Sequence, residues 1–312
     1  MLHQFLTLFW PSTVDGLTVG AIYALVALGY TLVYGVLQLI NFAHSEVFMV
    51  GTFASLFTLH ALGVTSALTG LALVGVLVVC ALAGMTGSAV TAVILEAVAY
   101  RPLRRRTTSR LAALITAIGA SFSLQEIFAL RYGRDIQTFP RVMQKTVLFH
   151  VGSGTVRSDK VLVVATALAM MVILDTFVSR TRLGRGIRAT AQDPRTAVLM
   201  GVNIDRVIVA TFILGGLAAG VAATLYGTFY EVTQYNIGFL IGLKAFTAAV
   251  LGGIGNLRGA LLGGFSLGLI ENYGASLFGA EWMNVVAFVV LVAVLLFRPT
   301  GILGEQLARA RA

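Results

Sequence analysis

Apolar residues run along this chain in blocks of about twenty, separated by short polar breaks. A block of that length crosses the hydrocarbon core of a bilayer as one α-helix. The pattern predicts spans over 13–39, 46–60, 66–99, 111–130, 161–178, 207–229, 239–253, 260–275 and 282–297. None has the ten-residue alternation of a membrane β-barrel strand. The predicted fold class is an all-α polytopic integral membrane protein, with 1–312 as a single transmembrane domain.

Local signals refine the blocks. Residues 1–10 predict a short interfacial helix ended by Pro11, since proline removes a helix bond, with Trp10 at the headgroup level. The first span carries Gly16, Gly20, Ala24 and Gly29, small residues that allow close helix packing in lipid. The 66–99 run is too long for a simple crossing, so it is either strongly tilted or bent near Gly84 and Gly87. The 131–160 stretch reads as a polar loop.

Three interruptions place polar groups at or near membrane depth. Asn41-Phe42-Ala43-His44-Ser45-Glu46 breaks the first pair of spans. Its polar side chains must face protein or water, and Asn41 or Ser45 has the chemistry to cap a new helix. A broken helix turns N–H groups and a positive dipole end toward a cavity, as transporters do to hold anionic groups. The alternative is a helix boundary at the interface, with His44 and Glu46 solvated. If 41–60 dips in and returns, there are eight crossings and the N-terminus is inside; otherwise there are nine and it is outside. The second interruption is Gly252–Gly259, where Asn256 and Arg258 either line a pathway or sit in a tight cytoplasmic turn. The third is Lys244, with Glu271 on the next helix as a candidate partner, or a lysine that snorkels to the outer interface. The candidate translocation pathway is therefore Asn41, His44, Ser45, Glu46, Lys244, Asn256 and Glu271.

A different polar stretch, Arg180 to Arg206, lies between two spans. It is basic and carries Gly184, Gly186 and Gly201, and 189–202 reads as helix, bend at Asp193-Pro194, helix. That is more structure than a hairpin turn needs. It reads as a surface gripped by another protein, against the alternative of a solvated interfacial loop.

Composition agrees with the pattern: 58% of residues are hydrophobic and 11% charged, against about one quarter charged in soluble domains. The net charge of +9 is explained by cytoplasmic basic loops; no basic run interleaved with aromatics suggests nucleic acid. The Arg101–Arg110 cluster, the Arg180–Arg206 segment and the 298–312 tail lie an even number of crossings apart. They hold roughly 14 of the 22 Lys and Arg, which makes their side cytoplasmic and the 131–160 loop extracytoplasmic. The N-terminus has no Lys or Arg and no small-residue cleavage site, so it does not read as a cleaved signal. The single Cys80 excludes an internal disulfide and a cysteine metal cluster. His3, His44, His60 and His150 lack metal-ligand spacing, and no GxSxG or HExxH occurs. None of Lys145, Lys160 and Lys244 follows a glycine, so no Walker A loop is available. No metal, cofactor or catalytic residue is expected. Nucleotide energy, if used, comes from a partner.

Several stretches resemble permeases of branched-chain amino-acid ABC importers. They are Gly20-Ala21-Ile22-Tyr23-Ala24-Leu25 through Gly29, Ile40 to Glu46, and Ala99 to Arg104. Further on they are Leu183-Gly184, Ile187-Arg188-Ala189, Ala191 to Pro194 through Ala197, Leu199 to Asn203, Val250 to Ala260, and Arg298 to Gly304. The likeness covers nearly the whole chain in order. It implies a type II-like importer permease fold of eight or nine helices, with broken half-helices, in the bacterial inner membrane. It also implies two cytoplasmic ATPase subunits, a second permease (a related chain or another copy) and an extracytoplasmic binding protein. The implied cargo is branched-chain or hydrophobic amino acids; relatives of the same architecture carry urea, short amides or simple sugars. An autonomous channel or ion-coupled transporter is the alternative of another class.

By the same resemblance, Arg180–Arg206 is a coupling segment seated in an ATPase groove. Arg188, Ala189, Ala191, Gln192, Asp193, Pro194, Ala197, Met200 and Gly201 are its expected contact residues. Ala189, Ala191, Ala197 and Met200 would form an apolar face, while Arg188, Gln192, Asp193 and Arg195 set register. Ser45 stands where the family pattern expects glycine, which would narrow or polarise the site.

Overall fold

A single helix, α1 (Leu2–Leu37), runs through the centre of the molecule. Its most apolar window is 94% buried, whereas that of the last helix is 6% buried. The computed structural model describes residues 2–106, 110–298 and 300–304. Pro299 and the basic tail from 305, with Arg309 and Arg311, lie outside the described residues.

After α1 come α2 (His44–Ala61) and α3 (Gly70–Leu95). A π-helical turn (Glu96–Tyr100) joins α3 to α4 (Arg101–Arg106), and α5 (Arg110–Tyr132) follows. Strands β1 (Gln137–Thr138), β2 (Val147–Val151) and β3 (Gly154–Arg157) precede α6 (Ser158–Arg180). Two short helices, α7 (Arg182–Gln192) and α8 (Pro194–Leu199), lead into α9 (Ile204–Tyr230) and β4 (Val232–Thr233). The chain closes with α10 (Ile237–Gly252), α11 (Leu257–Phe278), a 3-10 turn (Ala280–Trp282) and α12 (Met283–Phe297). Among the described residues six helical stretches are long and apolar enough to cross a membrane: α1, α3 with the π-turn and the start of α4, α5, α6, α9, and α12 with the 3-10 turn before it. Helices α10 and α11 meet at 118° across a short break.

Small residues bring the central helices together, because lipid offers no hydrophobic force between helices and close packing must supply the attraction. Gly16 and Gly20 of α1 lie against Gly268 and Gly264 of α11; a Cβ on Gly20 would come within 2.7 Å of the Gly264 carbonyl oxygen. Gly84 of α3 meets Gly220 of α9 backbone to backbone. Hydroxyls tie α2 to α9 and α3. Ser55 of α2 and Thr224 of α9 are 2.7 Å apart, and Ser88 of α3 donates to the Val47 carbonyl of α2 at 2.8 Å.

The contacts sort the loops to two ends. At one end β2 pairs with β3, β1 pairs with β4, and Leu68 bridges Met143. Trp10, near the start of α1, packs on Gly152 and Gly154 of that hairpin. Glu231 closes α9 there in the left-handed region and binds Lys145 at 2.7 Å and Arg141 at 3.2 Å. Burial pushes its carboxyl up, but these two cations win and hold it below the ordinary glutamate range. At the other end lie α4, α7, α8, an Arg258–Asp175 pair at 2.9 Å, and residues 301–304 clasped on the α10–α11 turn. Leu303 and Ile302 donate to the Gly252 and Leu251 carbonyls, filling acceptors that the end of α10 leaves free.

Several expectations need correction. Pro11 does not end a helix; α1 continues through it. The carbonyl its missing N–H leaves open is that of Thr7, and Ser153 of the hairpin donates to it at 2.9 Å. Gly84 and Gly87 do not break α3, where they are helix contacts; the irregularity is the π-turn at Glu96–Tyr100. The 131–160 loop is not simply polar. It carries a hairpin with Val147, Leu148 and Phe149 exposed.

Candidate functional site

The break between α1 and α2 is built by backbone geometry. Gln38 sits at φ 53°, a left-handed turn that stops α1, and the chain folds back on itself through residues 39–43. His44 then lies under Gly29, where any side chain at position 29 would collide with the imidazole. Gly29 is eight residues inside α1, about 12 Å from its end at 1.5 Å per residue. The segment therefore re-enters the bundle. Asn41, His44, Ser45 and Glu46 are all buried, so the reading in which His44 and Glu46 are solvated at an interface is overturned.

Neither Asn41 nor Ser45 caps α2. The N-cap is Ala43, without a side-chain bond. The Asn41 carbonyl oxygen accepts instead from the Tyr100 hydroxyl at 2.7 Å. Ser45 donates to the Phe42 carbonyl at 2.6 Å and to Glu46 Oε1 at 3.0 Å. Its hydroxyl is thus spent inward, and its Cβ seats against Gly242 of α10. Glu46 Oε1 also accepts from Gln125 at 2.9 Å and Ser121 at 3.2 Å, both on α5. The other oxygen, Oε2, lies against Gly238 in the first turn of α10, where unpaired N–H groups favour negative charge. Glu46 therefore joins α2, α5 and the start of α10. Asn41 Nδ2, His44 Nε2 and Glu46 Oε2 have no hydrogen-bond partner among the described residues. Buried polar atoms left open in one segment mark a place of function more often than of stability.

Helix α10 (Ile237–Gly252) begins beside Ser45 and ends at Gly252. Lys244, in its middle, is buried and pairs with Glu271 of α11 while donating to the Tyr23 hydroxyl of α1 at 3.2 Å. It does not snorkel outward. A small cavity of about 10 Å³ lies between Tyr30, Tyr34, Ile40, Asn41 and Phe246, enough for one water. Asn256 is outside this group. Its Oδ1 accepts from the Arg258 and Gly259 amides at 3.0 and 3.1 Å, and its Nδ2 donates to the Leu303 carbonyl at 3.1 Å, so it caps α11 and ties it to residue 303.

The second candidate element is the α7–α8 corner. Thr181 caps α7 by accepting from the Gly184 amide at 3.0 Å, and only glycine fits at 184 beside the Val178 carbonyl. Asp193 caps α8. The Thr196 hydroxyl and then the Arg195 amide hold its carboxyl below the usual aspartate range. Gly184, Gly186, Ile187 and Thr190 pack α7 on the body. Ala197 is buried as well, not offered outward, because it faces α9 from the inner side of α8. Ala189 and Ala191 are half-buried, and Arg188, Gln192, Asp193 and Pro194 are exposed. The exposed apolar tip is Val198, Leu199 and Met200, with Leu199 85% and Met200 80% exposed. Gly201 follows at φ +82°, a conformation that suits glycine.

Sequence reasoning missed Ser121, Gln125, Tyr23 and Tyr100 as partners of the buried polar groups. On α5 a signal existed: Ala113, Ala117, Ser121, Gln125 and Ala129 recur every four residues and form its buried stripe. The tyrosines gave none, since their partners are far away in the chain.

Comparison with known proteins identifies relatives over most of the chain. The family model described as branched-chain amino acid transport system, permease component, matches residues 12–295. The high-affinity branched-chain amino acid transport system permease protein BraD of Pseudomonas aeruginosa is 44% identical over 296 residues, 94% of each chain. LivH of Escherichia coli K12, likewise a high-affinity branched-chain amino acid transport system permease protein, is 43% identical over 313 residues, 98% of each chain. A probable branched-chain amino acid transport permease of Methanocaldococcus jannaschii is 27% identical over 90% of this chain and 88% of the relative.

Proposed function

The chain belongs to the family of permease components of branched-chain amino acid transport systems, and from that premise we propose that it forms one half of the transmembrane pathway of an ATP-binding-cassette importer for branched-chain amino acids. The near full-length likeness to permeases of that transport carries this reading. It is a membrane subunit of a transporter, and the energy comes from ATPase partners.

The end of the molecule with α4, α7, α8 and residues 301–304 faces the cytoplasm of a bacterial inner membrane, and the hairpin end faces outward. The basic clusters support this orientation. The N-terminus is then outside and the C-terminus inside, with nine passes of which α2 and α10 are short. The cytoplasmic docking surface is the exposed corner of Arg188, Gln192, Asp193, Pro194, Val198, Leu199 and Met200. Met200 and Leu199 insert into a groove of the ATPase, while the charged residues set register. Two ATPases, a second related permease or copy, and a binding protein on the outer face complete the assembly. The pathway runs beside the re-entrant Asn41–Glu46 segment and the start of α10, with Ser121 and Gln125 of α5 beside it. Lys244 and Glu271 hold α10 in place from behind.

Reconstitution of the protein with its ATPases, a second permease and a binding protein in proteoliposomes tests this. ATP-dependent uptake of leucine, competed by isoleucine and valine and not by urea, is the expected result. Uptake without ATP down an ion gradient, or competition by urea alone, overturns it.

A further inference from the structure

The corner formed by α7 and α8 and the intramembrane break are far apart in the chain, yet a line of bonds joins them. Residues 200–203 tie the end of α8 to α9: Val202 donates to the Ala197 carbonyl at 3.0 Å, and Asn203 caps α9 by accepting from the Arg206 amide at 3.0 Å. In that same first turn of α9, Asp205 accepts from Arg104 of α4 at 2.9 Å. The same guanidinium nitrogen reaches Glu96 at 3.1 Å, and Arg101 reaches the other Glu96 oxygen at 2.8 Å. Glu96 is fully buried, so it cannot lose these cations without leaving an uncompensated charge. Glu96 opens the π-turn and Tyr100 closes it. The Tyr100 ring packs on Phe212 of α9 at 5.5 Å, and its hydroxyl donates to Asn41 in the break.

A π-turn holds one residue more than the α-helix around it, and such turns recur at functional sites. Its resolution to α-helix would shift everything beyond it by one residue, about 100° and 1.5 Å. Such a change would give the element two discrete arrangements, which coupling between distant sites requires. We propose that Asp205, Arg104, Glu96, Tyr100 and Asn41 form a relay, with the Glu96–Tyr100 π-turn as its switching element, that ties the position of the docked α7–α8 corner to the intramembrane break. This rests on the reading of that corner as the ATPase docking surface. The five are positioning residues: they set where the re-entrant segment lies and touch no nucleotide. Movement of α8 carries the first turn of α9, Asp205 draws Arg104 and Glu96, and Tyr100 moves Asn41.

The test uses the assembled importer in proteoliposomes, with leucine uptake and ATP hydrolysis measured on the same samples. Tyr100→Phe removes one hydroxyl, and Asp205→Asn removes one charge. Each is expected to leave co-purification of the ATPase and its hydrolysis in place while uptake per ATP falls on the order of fivefold or more. A merely structural defect would lower both in step. Asn41→Leu takes away the acceptor of the same bond and has to reproduce the Tyr100→Phe phenotype; it also carries the test if Tyr100→Phe inserts poorly. The double variant Tyr100→Phe with Asp205→Asn is expected to lose no more than the worse single one. Losses that multiply mark independent sites and overturn the relay, as does a wild-type ratio of uptake to hydrolysis in the single variants. If the wild-type protein itself fails to bring down an ATPase, the docking reading fails instead, which separates the two.

Discussion

Lys244 and Glu271 are both buried in the bundle, and each makes the other tolerable. An ion pair removed from water gains little net stability, but deleting one partner strands a charge and costs about 3–5 kcal/mol. Glu271→Gln or Lys244→Met alone should therefore lower the thermal stability of the detergent-solubilised protein strongly. The double variant should recover most of the loss, and a double as unstable as the singles would refute the pairing argument. The two histidines on α2 separate function from surface in the same way. His44 is buried under Gly29 and 4.9 Å from the Tyr30 ring, whereas His60 is exposed near the far end of the helix. His44→Ala should reduce uptake well below His60→Ala at equal protein amounts; equal uptake counts against a pathway role for the break. At Asp193 the sign follows from its lowered pKa. The cap is fully present above the ordinary aspartate value near 3.9 and is lost only as pH falls through the lower folded value. Transport at neutral pH keeps it, and Asp193→Ala should speed amide exchange at Arg195 to Ala197.

At the scale of elements, glycine and alanine decide which helices cross closely. The α1–α11 seam has Gly264 against the backbone of Ala24, and Gly268 against Gly20. Gly264→Leu puts four carbons where a backbone lies. It should abolish accumulation in the membrane, whereas Gly75→Leu on α3, with open space around it, should be tolerated. Immunoblots of membrane fractions decide between them. The α8 tip makes the opposite case. Leu199→Ser with Met200→Ser removes apolar surface that is largely exposed, so insertion should be normal while ATPase co-purification is lost. Normal co-purification would move the docking surface elsewhere. Element type was legible because blocks of about twenty apolar residues and the Asp193-Pro194 stop signal are local. The continuation of α1 through Pro11 was not. It depends on a hydroxyl from Ser153, more than 140 residues away, which takes the place of the lost bond.

For the whole molecule, sidedness is the checkable property. With the buried Cys80 as the one native thiol, new cysteines at Ser153 and Val198 report opposite ends. A membrane-impermeant maleimide on spheroplasts should label Ser153→Cys at once and Val198→Cys only after permeabilisation; labelling of both from one side overturns the orientation.

The sequence by itself determined the class and the family, and it predicted that the basic segments share one side. Each of these is a sum of local terms: the apolar length of a block, the charge of a loop, the order of short motifs. It also marked Asn41–Glu46, Lys244 and Glu271 as residues needing partners, because polar groups in lipid need them wherever they are. Only the tertiary structure decided who those partners are. Tyr100, Gln125, Ser121 and Tyr23 lie dozens to hundreds of residues from the groups they satisfy. Their register is set by how helices pack at glycine seams, which no local pattern encodes. The same packing made Asn256 the cap of α11 and buried Ala197 while leaving Leu199 and Met200 exposed. A side chain's neighbours are fixed by the crossing of whole helices, not by the few residues on either side of it.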